Sequence, residues 1–391
     1  MPKSFFLPGQ PTKFPRSTPF KIKHTKLEVT LDFEKKSMSG MASHTIEAVG
    51  SPISSVTLDA AELSFKSVKV NGDSVKYSLM PRSVKVELGF ELRLGETATL
   101  ELEYTATPRR GLYFRGESGS SEGVHVFTQG QSEDSKFWFP CFDSPNMRAS
   151  SELIVTVPQN MVVVSNGKLI GIGGPGAGGV KGWHFKEDTP HSSYLTSLVA
   201  GDFEKQEDVH EGLSLQYFLP KDKLQLAKRS FGNTPLMIDF FEKVTGQKYP
   251  YEKYSQTVVT DFMFGGMENI SATTLTDRTL HDERAHLDFS SDSLVAHELA
   301  HQWFGDLLTC RDWSNAWLNE GFATYFDALF KEHNLGVEEF QYWMMYSTSM
   351  LTFIAETERY ERPIVTKRYW DADELFDHHT YLKGNWALNS L

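Results

Sequence analysis

The sequence predicts a multidomain protein with an all-β part followed by an α+β part, and three observations predict it. The length, 391 residues, exceeds what one hydrophobic core usually organises. Up to about residue 220 the apolar residues alternate with polar ones, the period of half-buried strands. Beyond that point they recur at helical spacing. The expected domains are residues 1–219 and 220–391.

The alternation begins with Leu27, Val29, Leu31 and Phe33. Val68 and Val70 continue it, then Val75, Tyr77 and Leu79, with the turn Asn71-Gly72-Asp73 between them. Val84, Val86 and Leu88 follow, then Leu100, Leu102 and Tyr104. Short turns between alternating runs read as antiparallel strands, and "ELIVTVP" and "MVVVSNG" extend the series. "GIGGPGAGGV" (Gly171–Val180) reads as a loop; it lacks the Lys-Ser/Thr ending and the following helix of a phosphate cradle. "DKLQLAKRSFGNTPLMIDFFEKVTG" has helical spacing, interrupted near Pro235 and ended at Gly246. "SQTVVT" reads as a short strand. "SSDSLVAHELAHQWFG" carries Ser/Asp capping residues before a helix and a glycine stop after it. "NEGFATYFDALFKEHNLG" is a second helix with Phe322, Phe326 and Leu329 or Phe330 on one side. No internal repeat is visible.

The composition is that of a folded chain, 40% hydrophobic and 23% charged, which excludes wholesale disorder. A formal net charge of −12 argues against a nucleic-acid partner, because phosphate binding needs a basic footprint. Two distant cysteines, Cys141 and Cys310, are no disulfide framework and favour a reducing compartment. Prolines interrupt the first twenty residues where a signal peptide needs an apolar run, and no stretch of 18 or more apolar residues exists. These features point to the cytoplasm. Oligomeric state leaves no trace in the sequence.

The chemistry concentrates in "VAHELAHQWFGDLLTCRDWSNAWLNEGFATY" (Val295–Tyr325). On a helix His297 and His301 lie one turn apart on one face, so both imidazoles can ligate one ion. Glu298 points to the side, where a water on that ion would sit. Catalytic zinc sites use three protein ligands and leave a fourth position open. Glu320 lies 19 residues after His301, room for one helix to end and the next to return antiparallel. Chance could place His and Glu on an ordinary helix pair. The capped amphipathic helix and a second glutamate at workable spacing favour a metal site of His297, His301 and Glu320. The other histidines show no ligand spacing, and His378-His379 reads as surface or as support for a nearby site.

With those residues in view, the sequence resembles the aminopeptidase N and leukotriene-hydrolase family of zinc metallopeptidases, the gluzincins. "GGMEN" (Gly265, Gly266, Met267, Glu268, Asn269) looks like that family's exopeptidase signature. "TQGQSEDSKFWFPCFDSP" (Thr128–Pro145) and "FDHHTYLKG" (Phe376–Gly384) look like two further family blocks. The resemblance implies a saddle- or sandwich-like β domain, then a thermolysin-like zinc peptidase domain. It implies one Zn2+ per chain, with Glu298 as proton acceptor and Tyr381 as donor to the developing oxyanion. It implies Glu268 as anchor for a peptide's free N-terminal ammonium, helped by Gln131 and Gln129. Two adjacent glycines suit close approach of backbone to ligand. The strand "SQTVVT" is expected to supply main-chain partners to the substrate.

Two positions depart from the family pattern: Gln131, where Glu is common, and Asp306, where Asn is frequent. Epoxide hydrolysis on the same site, or a non-catalytic scaffold role, are the alternatives. The family also implies helices after the Tyr381 block. The expectation is therefore a catalytic domain truncated at its C-terminal side, the helical C-terminal domain absent, and Tyr381 on a frayed end.

Overall fold

The computed structural model describes residues 3–116, 123–174, 179–357 and 360–391. Its first part is a β structure. One eight-stranded sheet has the order Lys168–Ile172, Val180–Ser192, Arg148–Pro158, Phe20–Asp32, Ser37–Ala48, Thr97–Ala106, Leu63–Val70, Asp73–Ser74. The pairs are antiparallel except one: Arg148–Pro158 runs parallel to Phe20–Asp32. Ser37–Ala48 alternates buried and half-buried residues along its whole length, as a two-faced strand should. A three-stranded sheet (Ile53–Asp59, Ser83–Leu92, Tyr77–Met80) packs Val84, Val86 and Leu88 into a common core with Leu100 and Leu102. Tyr77 and Leu79 do not join that core. Their strand is an exposed edge, because only one side of it is paired.

The expected loop Gly171–Val180 is shorter than its glycines suggest. Gly171 and Ile172 close one strand, Val180 opens the next, and residues 175–178 lie outside the described residues.

A five-stranded sheet supports the site. Its order is Phe203–His210, Leu213–Pro220, Lys253–Val259, Ala272–Thr276, Gly266–Met267. Lys253–Val259 is buried at every residue, as a strand covered on both faces must be. It is paired on both sides, parallel to Leu213–Pro220 and to Ala272–Thr276. The expectation that "SQTVVT" pairs with a substrate is thereby overturned, since it has no free edge. The edge belongs to Gly266–Met267, which pairs on one side only. The hairpin 203–220, on the N-terminal side of the expected division at residue 219, is hydrogen-bonded into this sheet.

The helices are α1 (Ala227–Phe231), α2 (Thr234–Thr245), α3 (Asp292–Ala300), α4 (Trp317–Leu335), α5 (Val337–Thr357) and α6 (Gly384–Asn389). The break between α1 and α2 falls just before Pro235, which sits in the first turn of α2, where its missing N–H costs nothing. The Ser291 hydroxyl does not cap α3; it donates to the Ser230 carbonyl. Phe326 and Phe330 of α4 pack with Phe241, Leu299 and Trp303 in one core under the sheet. No helix among the described residues is long and apolar enough to cross a membrane.

Candidate metal centre and active-site cleft

Helix α3 carries His297 and Glu298, and its last hydrogen bond runs from the His301 N–H to the His297 carbonyl (3.2 Å). The chain then turns over residues 301–316, and α4 brings Glu320 back in its first turn, where a helix favours an acid. The outcome is a nearly equilateral triangle of ligand atoms. His297 Nε2 to His301 Nε2 is 3.1 Å, His301 Nε2 to Glu320 Oε2 is 3.1 Å, and His297 Nε2 to Glu320 Oε2 is 3.3 Å. Tetrahedral zinc with ligands at about 2.0–2.2 Å spaces those ligands by roughly 3.3 Å. These three form the only such His/Cys/Asp/Glu group among the described residues.

The donor chemistry fits a cation. His301 Nδ1 donates to the Phe304 carbonyl (2.9 Å), which turns Nε2 to the centre. One proton could bridge only one edge of the triangle, whereas a cation at its centre satisfies all three. The electrostatics agree. Burial would lower the His301 pKa, but the carboxylates of Glu320 and Glu268 outweigh it and hold the ring well above its ordinary value. Burial would raise Glu320, and His301 instead holds it below the usual carboxylate range.

Glu298 stands beside the triangle, buried, with Oε2 unpartnered. Burial pushes its pKa well above the carboxylate range, against the opposing pull of His301. Gly266 makes room for it: a Cβ there would overlap the Glu298 carboxylate. Tyr381 lies over His297 with ring centroids 6.0 Å apart, and burial raises its phenol, which stays protonated and able to donate.

The rest of "GGMEN" forms the edge strand and the turn after it. Glu268 is buried, and its side chain accepts from Gln131 Nε2 (2.9 Å). The same nitrogen donates to Glu320 Oε1 (3.1 Å), so Gln131 ties the two glutamates together. Burial raises the Glu268 pKa to about 7, partly offset by His301. Gln129 lines the cleft beside Gln131. Met267 and Asn269 are buried, and Asn269 Nδ2 donates to Thr274 Oγ1 (3.3 Å). The cleft itself measures about 890 Å³ and includes Gly265, Gly266, His297, Glu298 and Tyr381 in its wall.

Some supporting residues carry no advance signal. Gln302 Oε1 accepts from the Ser271 N–H (2.8 Å) and its Nε2 donates to the Glu268 carbonyl (3.2 Å). It fixes the turn after Glu268 to α3; its only hint was a polar residue inside an apolar run. Asn319 accepts from the Cys310 N–H and donates to the Tyr194 hydroxyl, bracing the connection before Glu320. Arg362 pairs with Asp377, four residues before Tyr381, and donates to the Leu375 carbonyl.

The expectation of a frayed Tyr381 is also overturned. The residue sits in a single π-helical turn, His379–Lys383, that leads into α6. That turn is clasped by Arg362, by the Lys383 amine on the Arg362 carbonyl, and by stacking of His379 on Tyr360. Gly321 of α4 touches Gly384, so close that a Cβ on Gly321 would stand 3.0 Å from the Gly384 Cα. His378 is exposed and His379 buried, neither at the triangle.

Comparison with known proteins places this arrangement. Residues 21–195 match the Peptidase M1 N-terminal domain, and residues 229–391 match the Peptidase family M1 domain. The chain belongs to peptidase family M1. Among M1 relatives, Aminopeptidase M1-B of Oryza sativa subsp. japonica is 30% identical over 93% of this chain. Leukotriene A-4 hydrolase of Xenopus laevis is 27% identical over 96% of it. The chain spans 43% and 63% of those two relatives' lengths. An M1 zinc metallopeptidase variant from Deinococcus radiodurans, bound to a Tyr-Ser-Ala substrate, superposes with a TM-score of 0.80 at 25% identity. It covers 95% of this chain and 82% of its own. The saddle-plus-peptidase architecture expected from the sequence is that of the M1 fold.

Proposed function

We propose that this M1 chain carries the active site of a zinc-dependent aminopeptidase acting on peptides with a free N-terminus. The observation that carries the reading is the triangle of His297, His301 and Glu320 flanked by Glu298 on one side and Glu268–Gln131 on the other. One zinc ion held there supplies Lewis acidity to the scissile carbonyl and acidifies a water. Glu298 is placed to accept a proton from an attacking water and would return it to the leaving amine. The Tyr381 phenol donates to the oxyanion as it forms.

Glu268 anchors the ammonium. It is buried without a cationic partner among the described residues, so the substrate supplies the missing charge. Gln131 spends its nitrogen on Glu268 and Glu320, which leaves its carbonyl oxygen as a second acceptor for the ammonium. The free side of Gly266–Met267 offers main-chain partners to the peptide. Two buried free cysteines, in different cores, favour a reducing compartment such as the cytoplasm.

The test is metal analysis together with hydrolysis of an aminoacyl anilide. One zinc per chain and turnover abolished by acetylating the substrate's amine are expected. Zinc without any dependence on the free amine would refute the exopeptidase reading.

A further inference from the structure

Two arginines line the cleft among the described residues, Arg110 and Arg278, and no lysine does. Arg110 is committed to Asp134 (2.9 Å) and Asp373 (3.3 Å). Arg278 is exposed, and its guanidinium has no ion-pair or hydrogen-bond partner among the described residues. The cleft's acids near Arg110 and α4 are themselves matched: Asp134 and Asp373 by Arg110, Asp327 by Lys331. Among the described residues Arg278 is the cleft's unmatched cation.

Its position gives that charge a direction. Gly266 pairs with Leu275, Met267 with Thr274, and the Thr276 N–H donates to the Gly265 carbonyl (2.9 Å). Arg278, two residues past Thr276, therefore lies beyond the Gly265 end of the edge strand. Glu268 and Gln131 lie at the other end. A peptide laid antiparallel along the free edge, its ammonium at Glu268, runs toward Arg278. An extended chain advances about 3.3 Å per residue. Glu268 and Gly265 are three positions apart, so the third residue of such a peptide comes level with Gly266 and the fourth with Gly265. Ser290, just before α3, lines this same cleft and adds a hydroxyl donor, whereas the Ser293 hydroxyl is spent on Asp327 (2.7 Å).

We propose that Arg278 reads the C-terminal carboxylate of short peptides, which makes free-acid tri- and tetrapeptides the favoured substrate class. The proposal rests on the aminopeptidase reading above. A guanidinium suits the role because its planar fork meets a carboxylate through two parallel N–H bonds. An acidic side chain at the third position offers the same chemistry from another source, and the experiment separates the two.

The experiment compares Leu-Ala-Ala as free acid, Leu-Ala-Ala amide and Leu-Ala-Glu amide. Each is measured as kcat/KM on the zinc-loaded protein and as binding to its zinc-loaded Glu298→Ala variant. The free acid is expected to exceed its amide by about tenfold in both measurements, the scale of one charge-assisted contact. Arg278→Gln should erase that preference and leave the amides unchanged. Equal use of acid and amide by the unaltered protein, or equal loss on both in Arg278→Gln, overturns the proposal. So does a preference for Leu-Ala-Glu amide larger than that for the free acid. Absence of hydrolysis would defeat the aminopeptidase reading alone, because binding still decides. An acid preference in binding that Arg278→Gln abolishes supports the carboxylate role, and no preference refutes it.

Discussion

At the scale of single residues, the proposed site is a set of buried charges that a cation at the triangle and an ammonium at Glu268 would match. Glu268 is the sharpest case. Its carboxylate is buried, accepts from Gln131, and is raised to about 7 by that burial. Glu268→Ala should weaken peptides with a free amine by about 1.5–3 kcal/mol, one charge-assisted contact, with zinc content unchanged. Steady-state kinetics on a free and an N-acetylated substrate would check it; equal effects on both would remove Glu268 from the amine site. Gln131→Ala should give a smaller loss of the same kind. It also frees Glu320 Oε1, so zinc affinity should fall modestly in a competition titration with a chelator. The triangle His297, His301 and Glu320 with Glu298 beside it follows from residue types at fixed spacings, whereas Glu268 and Gln131 entered through the family resemblance. Gln302 and Asn319 were not, because their roles come from contacts with Ser271 and Tyr194, distant in sequence.

At the scale of elements, close contacts at two glycines set the distances between the proposed catalytic groups. Gly266 lets the edge strand pass the Glu298 carboxylate, and Gly321 lets α4 touch Gly384 behind Tyr381. Gly321→Ala should push the Tyr381 turn away from His297. The Gly384 backbone must give by a few tenths of an ångström, so the expected result is full zinc content with kcat lowered by roughly threefold to fivefold. Unchanged kcat at full occupancy would mean that the Gly321–Gly384 contact does not position Tyr381. The runs that hold α1–α2, α3 and α4 were legible because their periodicity is local; α5 and α6 were not read, and α3 ends at Ala300 rather than at the expected stop Gly305. The assignment of the edge was not. "SQTVVT" and "GGMEN" both look like short extended runs, and only the non-local pairing with Ala272–Thr276 decides which one keeps a free side. The same reason hid the hairpin 203–220, whose alternation resembles the earlier strands while its partner is Lys253–Val259. The docking of the Tyr381 turn depends on Arg362 and Asp377, a pair no spacing rule predicts.

At the scale of the whole molecule, stability should depend on pH through the buried histidines of the β part. His44 is fully buried, with Nε2 on the Pro140 carbonyl (2.9 Å) and Nδ1 on Thr25 Oγ1 (3.0 Å), and burial lowers its pKa to about 4. An unfolded chain takes up that proton near pH 6.5. The stability held by neutral His44 is therefore complete above pH 6.5 and is lost as pH falls toward 4. Between pH 7 and 5 its share is about 2 kcal/mol. Asp143, raised to about 7 by burial, acts with the opposite sign, so the comparison must be between proteins. Urea unfolding of His44→Gln should show a pH dependence shallower than the unaltered protein by that amount. Identical slopes would place the acid sensitivity elsewhere. Zinc at the triangle is checked by one measurement on the whole molecule: zinc bound per chain alongside turnover, in the unaltered protein, Glu298→Ala, and His297→Ala/His301→Ala. One zinc and turnover, one zinc and no turnover, and no zinc are expected, in that order. Stoichiometric zinc in the double-histidine variant, or loss of zinc with Glu298, would contradict it.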